Sequence, residues 1–232
     1  DLIESVADAL QFISYYHPVD FVQAVNQAYE REESPAAKDA LAQILINSRM
    51  SATGRRPLCQ DTGIVTVFAK IGMEVSWEGS TMSVSDMINE GVRRAYTHPD
   101  NVLRASILED PDGARKNSKD NTPAVIHYDI VEGDTVDIQV AAKGGGSENK
   151  SKMVMLNPSD SIVDWVVKTV PTMGAGWCPP GMLGIGVGGT AEKAAVMAKE
   201  SLMDPINIHE LQDRGPQTLS LIHISEPTRP FH

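Results

Sequence analysis

The sequence contains few cysteines and no long apolar run. Only two cysteines, Cys59 and Cys178, occur in 232 residues, and their separation excludes a zinc ribbon or a Cys-x-x-C redox motif. A membrane-spanning helix needs about 18 or more apolar residues in succession, and no such run is present. The sequence contains no basic segment followed by an apolar core, which is the pattern of a secretory signal. We therefore expect a cytoplasmic protein whose cysteines form no structural disulfide.

Positive charge is also scarce. The 20 Lys and Arg residues are outnumbered by 31 Asp and Glu residues, which gives a formal net charge of −11. Without a basic field to attract phosphates, nucleic acid is not an expected partner. A small anionic substrate is not excluded, because a local cluster of Arg and Lys can override the net charge. The hydrophobic content of 41% is typical of a soluble globular protein.

Apolar spacing predicts helices first and a mixture of helices and strands afterwards. The predicted helices cover 2–14, 18–29, 36–50, 83–96, 159–170 and 190–202. The predicted strands cover 64–71, 123–131, 134–142 and 182–187, and residues 108–121 read as a polar surface loop. Glu132-Gly133-Asp134 predicts a hairpin between the second and third strands. Without a sustained βαβ alternation, the fold class is α+β, an N-terminal helical segment followed by a mixed α/β domain.

The C-terminal segment has an unusual composition. The string from Leu219 to Arg229 resembles the in-frame translation of a sequencing-library transposon adapter. We therefore expect residues 218–232 to be a non-native tail, with a natural C-terminus as the alternative. Residues 1–217 are then expected to form one incomplete N-terminal domain of a longer protein.

Both cysteines lie in loops with unusual neighbours. Gln60-Asp61-Thr62-Gly63 follows Cys59, and Pro179-Pro180-Gly181 follows Cys178. A buried cysteine packed as a small hydrophobe has no need of such loops, whereas backbone N–H groups around a metal-bound sulfur hold a cluster and tune its potential. Two thiolates do not complete an iron–sulfur site. A hydro-lyase would use three and leave one iron open as a Lewis acid, with the third cysteine outside this chain.

Two glycine runs permit competing interpretations. Gly144-Gly145-Gly146 could let the backbone approach an anion closely, or could be a flexible surface loop. Gly184 to Gly189 suggests a dinucleotide fingerprint, but its spacing departs from the strict pattern and Asp204 follows a helix rather than a second strand. Taken alone, Arg104 could be a solvated helical residue and Asp61 a turn cap.

Five segments, in this order, resemble the class I fumarate hydratases, the oxygen-sensitive iron–sulfur type. They are Cys59-Gln60-Asp61-Thr62-Gly63, Asn121-Thr122-Pro123-Ala124, Ala142-Lys143-Gly144-Gly145-Gly146-Ser147, Cys178-Pro179-Pro180 with Ile185-Gly186-Val187-Gly188-Gly189-Thr190, and Ile208-His209-Glu210-Leu211-Gln212. The resemblance covers nearly all of 1–217.

The resemblance implies a hydro-lyase that reversibly hydrates fumarate to (S)-malate, a tricarboxylic acid cycle reaction, on a [4Fe–4S] cluster. It implies Cys59 and Cys178 as cluster ligands, Gln60 and the catalytic candidate Asp61 beside the substrate, and Arg104 paired with a substrate carboxylate. Gly146 is expected to approach the substrate through its backbone. A homodimer is expected, and this chain alone is expected to be inactive, since the third ligand and the catalytic base lie outside it.

Three other functions stay open. A tartrate dehydratase belongs to the same family and shares these motifs. A nicotinamide-dependent oxidoreductase rests only on the Gly184–Gly189 run. A non-catalytic domain would use both cysteines as core residues.

Overall fold

The computed structural model describes residues 1–178 and 181–205. The chain divides into two compact units, the first Asp1–Gly145 and the second beginning at Gly146. Across the described ranges, no helix has the length and apolar character needed to cross a membrane. The helices and small sheets confirm the α+β fold class.

Three helices open the first unit, as the sequence predicts. They are α1 (Leu2–Tyr15), α2 (Val19–Arg31) and α3 (Pro35–Gly54). The Ser34 hydroxyl caps α3 by accepting from the Ala37 N–H at 3.5 Å, and Pro35 occupies the first turn, where a missing N–H costs nothing. The helix continues past the predicted end at residue 50 and stops where Arg55 adopts a left-handed backbone with φ of 47°.

The main sheet has three strands with β1 (Ile64–Gly72) at its centre. Strand β4 (Val125–Val131) runs parallel to β1 on one side, and β5 (Val136–Lys143) runs antiparallel to it on the other. Two further short strands, β2 (Leu108–Glu109) and β3 (Lys116–Asn117), pair within the segment expected to be a polar loop.

The predicted hairpin between the second and third strands is wrong, because β1 lies between β4 and β5. Residues 132–135 instead pass across the end of β1. The Gly72 N–H donates to the Thr135 carbonyl at 2.9 Å, and the Glu74 N–H donates to the Gly133 carbonyl at 2.9 Å. The physical reason is burial: Val65, Val67 and Ala69 of β1 are almost fully buried, and an apolar strand is stabilised most at the centre of a sheet.

The core of the first unit lies between the sheet and two helices, α1 and α4 (Val84–Tyr96). Its fully buried large side chains are Val6, Leu10, Val65, Val67, Ile88, Val92 and Tyr96. Each large apolar side chain contributes about 1.5–3 kcal/mol when removed from water. This core forms a rigid base for the loops that leave β1 and α4.

The second unit contains α6 (Ile162–Thr169), a 3₁₀ turn (Val170–Met173), α7 (Ala191–Glu200) and a second 3₁₀ turn (Ser201–Met203). One helical turn, α5 (Gly145–Glu148), stands at its start, where the sequence predicted a break in regular structure. The strand predicted at 182–187 is absent: these residues form no ladder, and Leu183 is 48% exposed. The segment instead lies along α7, where Gly184 contacts the Ala198 carbonyl and Gly186 contacts the Ala194 carbonyl.

Several sequence predictions fall outside the described residues. These are Pro179-Pro180, the Ile208–Gln212 motif and the expected non-native tail at 218–232.

Candidate functional site

The Cys59 loop joins α3 to β1 and is held at its beginning by two hydrogen bonds of Leu58. The Leu58 N–H donates to the Ser14 carbonyl at 2.8 Å, and the Asn47 amide donates to the Leu58 carbonyl at 2.9 Å. Cys59 is a free, exposed cysteine, and its thiol donates to the Gln60 side-chain oxygen at 3.4 Å. The loop therefore presents a thiol and an amide side chain together at the surface.

Asp61 connects this loop to the beginning of the glycine run. One carboxylate oxygen accepts from the Gly145 N–H at 2.8 Å, and the other accepts from the Gly63 N–H at 3.2 Å. Asp61 is half-buried. The structure thus brings together Asp61, Gln60 and Cys59, three of the residues that the sequence singled out, and adds the Gly145 backbone to them.

The segment that carries Arg104 is attached to the same loop. The Thr62 hydroxyl donates to the Arg104 carbonyl at 2.6 Å. The Arg104 side chain is exposed, and no described residue forms an ion pair with it. An exposed guanidinium with no carboxylate partner among the described residues can bind an external carboxylate with two parallel hydrogen bonds.

Two buried residues that were not predicted as site residues hold these segments in place. The Tyr96 hydroxyl, at the end of α4, donates to the Thr62 carbonyl at 2.7 Å. The fully buried Asn121 amide donates to the Gly63 carbonyl at 2.9 Å, and its oxygen accepts from the Ser106 N–H at 2.6 Å. Burial raises the pKa of the Tyr96 phenol to about 12, so this hydroxyl remains a protonated donor at neutral pH.

The sequence offered a weak signal for one of these two. Asn121 adopts a left-handed backbone with φ of 61°, which asparagine tolerates better than most residues. In the sequence it stood only as the first residue of the Asn121–Ala124 motif. Tyr96 read as the last apolar position of a helix, and nothing in its neighbours indicated that its hydroxyl caps a loop.

The second unit contains Cys178 and Gly146, the two remaining predicted site residues. A Cβ on Gly146 would lie 2.6 Å from the Gly176 carbonyl oxygen, so only glycine fits there without displacing backbone. The Ser147 hydroxyl donates to the Trp177 carbonyl at 3.4 Å. The turn at Gly146 therefore packs against the segment that leads directly to Cys178.

Cys178 is free and exposed, like Cys59. Its backbone is left-handed with φ of 60°, and its N–H donates to the Ala175 carbonyl at 3.1 Å. A left-handed conformation is uncommon for cysteine and costs roughly 1–2 kcal/mol. The surrounding turn thus imposes an unusual conformation on the residue whose thiol it presents.

The chemistry of the two thiols fits cluster ligation. Both are free and exposed, and a soft thiolate is a ligand that iron–sulfur clusters use. No group of three or more His, Cys, Asp or Glu side chains within residues 1–178 and 181–205 could by itself hold a metal ion. Each thiol is therefore chemically suited to ligate iron, but only together with further ligands.

The second glycine run does not form the dinucleotide site considered above. A dinucleotide fingerprint requires a strand before the glycine turn, and residues 182–187 form no strand. The close contacts of Gly184 and Gly186 with α7 show that these glycines serve helix packing.

Comparison with known proteins shows the family of the chain. The sequence model of the family described as "Fumarate hydratase (Fumerase)" matches residues 3–221. A relative from Methanocaldococcus jannaschii, described as a putative L(+)-tartrate dehydratase subunit alpha, is 34% identical over 209 residues, which are 87% of this chain and 72% of the relative. The L(+)-tartrate dehydratase subunit alpha of Escherichia coli K12 is 28% identical over 208 residues, 88% of this chain and 68% of that protein.

Proposed function

Because the chain belongs to the fumarate hydratase (Fumerase) family of hydro-lyases, we propose that it carries part of the active site of a [4Fe–4S] enzyme that reversibly hydrates fumarate to (S)-malate. The observation that supports this most is the Cys59 loop. There the exposed Cys59 thiol donates to the Gln60 side chain, and the half-buried Asp61 carboxylate accepts from the Gly145 N–H. The Thr62 hydroxyl of the same loop donates to the Arg104 carbonyl.

Cys59 and Cys178 are the proposed cluster ligands of this chain. When bound, the cluster would supply an open iron that polarises the hydroxyl and carboxylate oxygens of the substrate. The sequence contains two cysteines, whereas such a cluster leaves one iron open by using three. Turnover therefore requires at least one ligand from outside these 232 residues.

The remaining roles follow from charge and geometry. The exposed Arg104 guanidinium binds one carboxylate of the dicarboxylate substrate. Gln60 offers an amide beside the Cys59 thiol. The Asp61 carboxylate, held by two backbone N–H groups, has the fixed orientation that a general acid–base group or a substrate-orienting group needs. Because Gly146 lacks a side chain, its backbone can approach the substrate directly.

L(+)-tartrate is the second candidate substrate, because both relatives described above are named as tartrate dehydratase alpha subunits. The two functions differ in expected assembly. A fumarate hydratase of this type is expected to form a homodimer, whereas a protein that corresponds to an alpha subunit is expected to associate with a different chain. Turnover of fumarate and L(+)-tartrate by the complete enzyme, together with its subunit composition, distinguishes them.

Iron binding by this chain tests the ligand assignment directly. The chain is reconstituted anaerobically with iron and sulfide, and bound iron, bound sulfide and visible absorbance are measured. Cys59→Ser and Cys178→Ser should each lower the bound iron severalfold, because serine replaces a soft thiolate with a poor iron ligand. Met73→Ser removes a sulfur that is 74% exposed outside the loop and should bind iron like the parent chain. Equal iron content in the parent and both cysteine variants would overturn the assignment.

A further inference from the structure

The loop that carries Cys59 and the segment that carries Arg104 meet at one buried side chain. Asn121 is 0% exposed. Its amide nitrogen donates to the Gly63 carbonyl at 2.9 Å, and its oxygen accepts from the N–H groups of Ser106 at 2.6 Å and Ile107 at 3.2 Å. A single side chain therefore satisfies one backbone acceptor in the first segment and two backbone donors in the second.

The chemistry of an amide suits this position and no other neutral side chain of similar size does. The Gly63 carbonyl needs a donor, and the Ser106 and Ile107 N–H groups need an acceptor. An amide supplies both from one planar group, and its oxygen can accept two hydrogen bonds. Asn also tolerates the left-handed backbone found here, with φ of 61°. Because the contacts are shielded from water, losing one leaves a buried polar group unpaired.

Tyr96 acts on the same loop from α4. Its hydroxyl donates to the Thr62 carbonyl at 2.7 Å, and its ring is 1% exposed within the core. The carbonyls of Thr62 and Gly63, which follow Asp61 directly, thus both accept hydrogen bonds from buried side chains of the first unit.

We infer that Asn121 is the positioning residue that sets the Cys59–Asp61 loop relative to the Arg104 segment, and that Tyr96 assists it from α4. This inference rests on the proposed function, since it matters for catalysis only if Cys59 binds the cluster and Arg104 binds the substrate. Neither Asn121 nor Tyr96 touches the cluster or the substrate in this assignment.

The decisive substitution is Asn121→Asp. Aspartate keeps the size, the tolerance for a left-handed backbone and the acceptor for Ser106 and Ile107, but it replaces the donor to Gly63 with a carboxylate oxygen. The Gly63 and Leu58 amides should then exchange hydrogen about tenfold faster, the effect expected for a lost buried hydrogen bond. The Ser106 and Ile107 amides should keep their protection.

A matched control exists in the same region. The Asn117 amide donates to the Ala105 carbonyl at 2.8 Å and its oxygen accepts from the Lys119 N–H at 2.7 Å, but it makes no contact with the Cys59 loop. Asn117→Asp therefore removes the same kind of donor from the Arg104 segment alone and should leave Gly63 exchange unchanged. If Asn121→Asp does not fold, Tyr96→Phe is used, because it keeps the buried ring and removes the hydroxyl that donates to the Thr62 carbonyl at 2.7 Å and, more weakly, to the Gly63 carbonyl at 3.4 Å.

A spectroscopic measurement separates positioning from general stabilisation. In the reconstituted chain, the visible absorbance of the cluster should decay in air severalfold faster in Asn121→Asp or Tyr96→Phe than in the parent or Asn117→Asp. Unchanged exchange at Gly63, or faster exchange with an unchanged decay, would overturn the positioning role. Failure of the complete enzyme, which supplies the remaining ligand, to bind iron would instead overturn the proposed function, while the exchange result would still report whether Asn121 holds the loop.

Discussion

At the residue scale, the site depends on side chains that are held by backbone contacts in unusual conformations. Asn121 and Cys178 both have a left-handed backbone, which is disfavoured for residues with a side chain. The conformational cost at Asn121 is compensated by three hydrogen bonds between its side chain and the backbone of loops. Among the described residues no comparable set of side-chain hydrogen bonds involves Cys178, and its N–H donates to the Ala175 carbonyl within the turn. Strained backbone of this kind is common at functional sites.

His17 gives a prediction for the pH dependence of stability. Burial lowers the pKa of His17 below its usual value of 6.5, and the ring packs on Phe21 with centroids 4.8 Å apart. Between the lowered pKa and 6.5 the unfolded chain binds more protons than the folded one, so the free energy of unfolding rises with pH in this window. This contribution is present above pH 6.5 and is lost as the pH falls through the folded-state pKa.

We expect His17→Gln to reduce the slope of the free energy of unfolding against pH on the acidic side. Denaturant unfolding of the parent and the variant is measured from neutral to mildly acidic pH. The exposed His98 provides the control, since His98→Gln should retain the slope of the parent. A slope that His17→Gln leaves intact would show that other groups cause the acid sensitivity.

At the element scale, the packing of α1 on α4 depends on Gly91. A Cβ at this position would lie 2.7 Å from the Ile3 carbonyl oxygen and 2.8 Å from the Val6 Cβ. Alanine normally favours a helix over glycine by about 1 kcal/mol, but the clash with buried backbone costs roughly 1–3 kcal/mol or more. Since neither Ile3 nor Val6 can move without shifting α1, the clash dominates.

Gly91→Ala should therefore lower the free energy of unfolding by about 1–2 kcal/mol and the melting temperature by several degrees. Gly54→Ala is the matched control, because the atom nearest to a Cβ added at Gly54 belongs to the Arg56 side chain and lies 3.9 Å away. That variant should be as stable as the parent or slightly more stable. Equal melting temperatures for the two variants would show that α1 adjusts to the added methyl group.

Also at this scale, the sequence predicted the elements better than their arrangement. The predicted starts of the helices at residues 18, 36 and 83 each lie within one residue of the observed starts, because the caps Ser34 and Ser83 and the proline before α2 act locally. The order of the strands depends on which strand is buried most, a property of the whole core, so the short Glu132–Asp134 turn led to a wrong hairpin. The loops that carry Cys59 and Cys178 were predicted from composition, whereas the buried tethers Tyr96 and Asn121 resemble ordinary core and loop residues in sequence.

At the scale of the whole molecule, burial is distributed unequally between the two units. Of the described residues, every buried hydrophobic side chain except Met197 belongs to the first unit. In the second unit, apolar side chains such as Met155 and Val167 are 82% and 65% exposed. Regions with little buried apolar surface open locally at a low free energy, whereas a packed core opens only with global unfolding.

Hydrogen exchange of the whole chain should show this difference directly. Amides in β1 and α4 should exchange only through global unfolding, and their rates should change together with denaturant concentration. Amides in α6 and α7 should exchange orders of magnitude faster and depend little on denaturant, because they open without exposing the core. Equal protection and equal denaturant dependence in all four elements would mean that the second unit unfolds together with the first. In that case the loops of Cys59 and Cys178 would unfold as parts of one cooperative unit even in the absence of the cluster. Cluster binding would then not be needed to order the Cys178 loop.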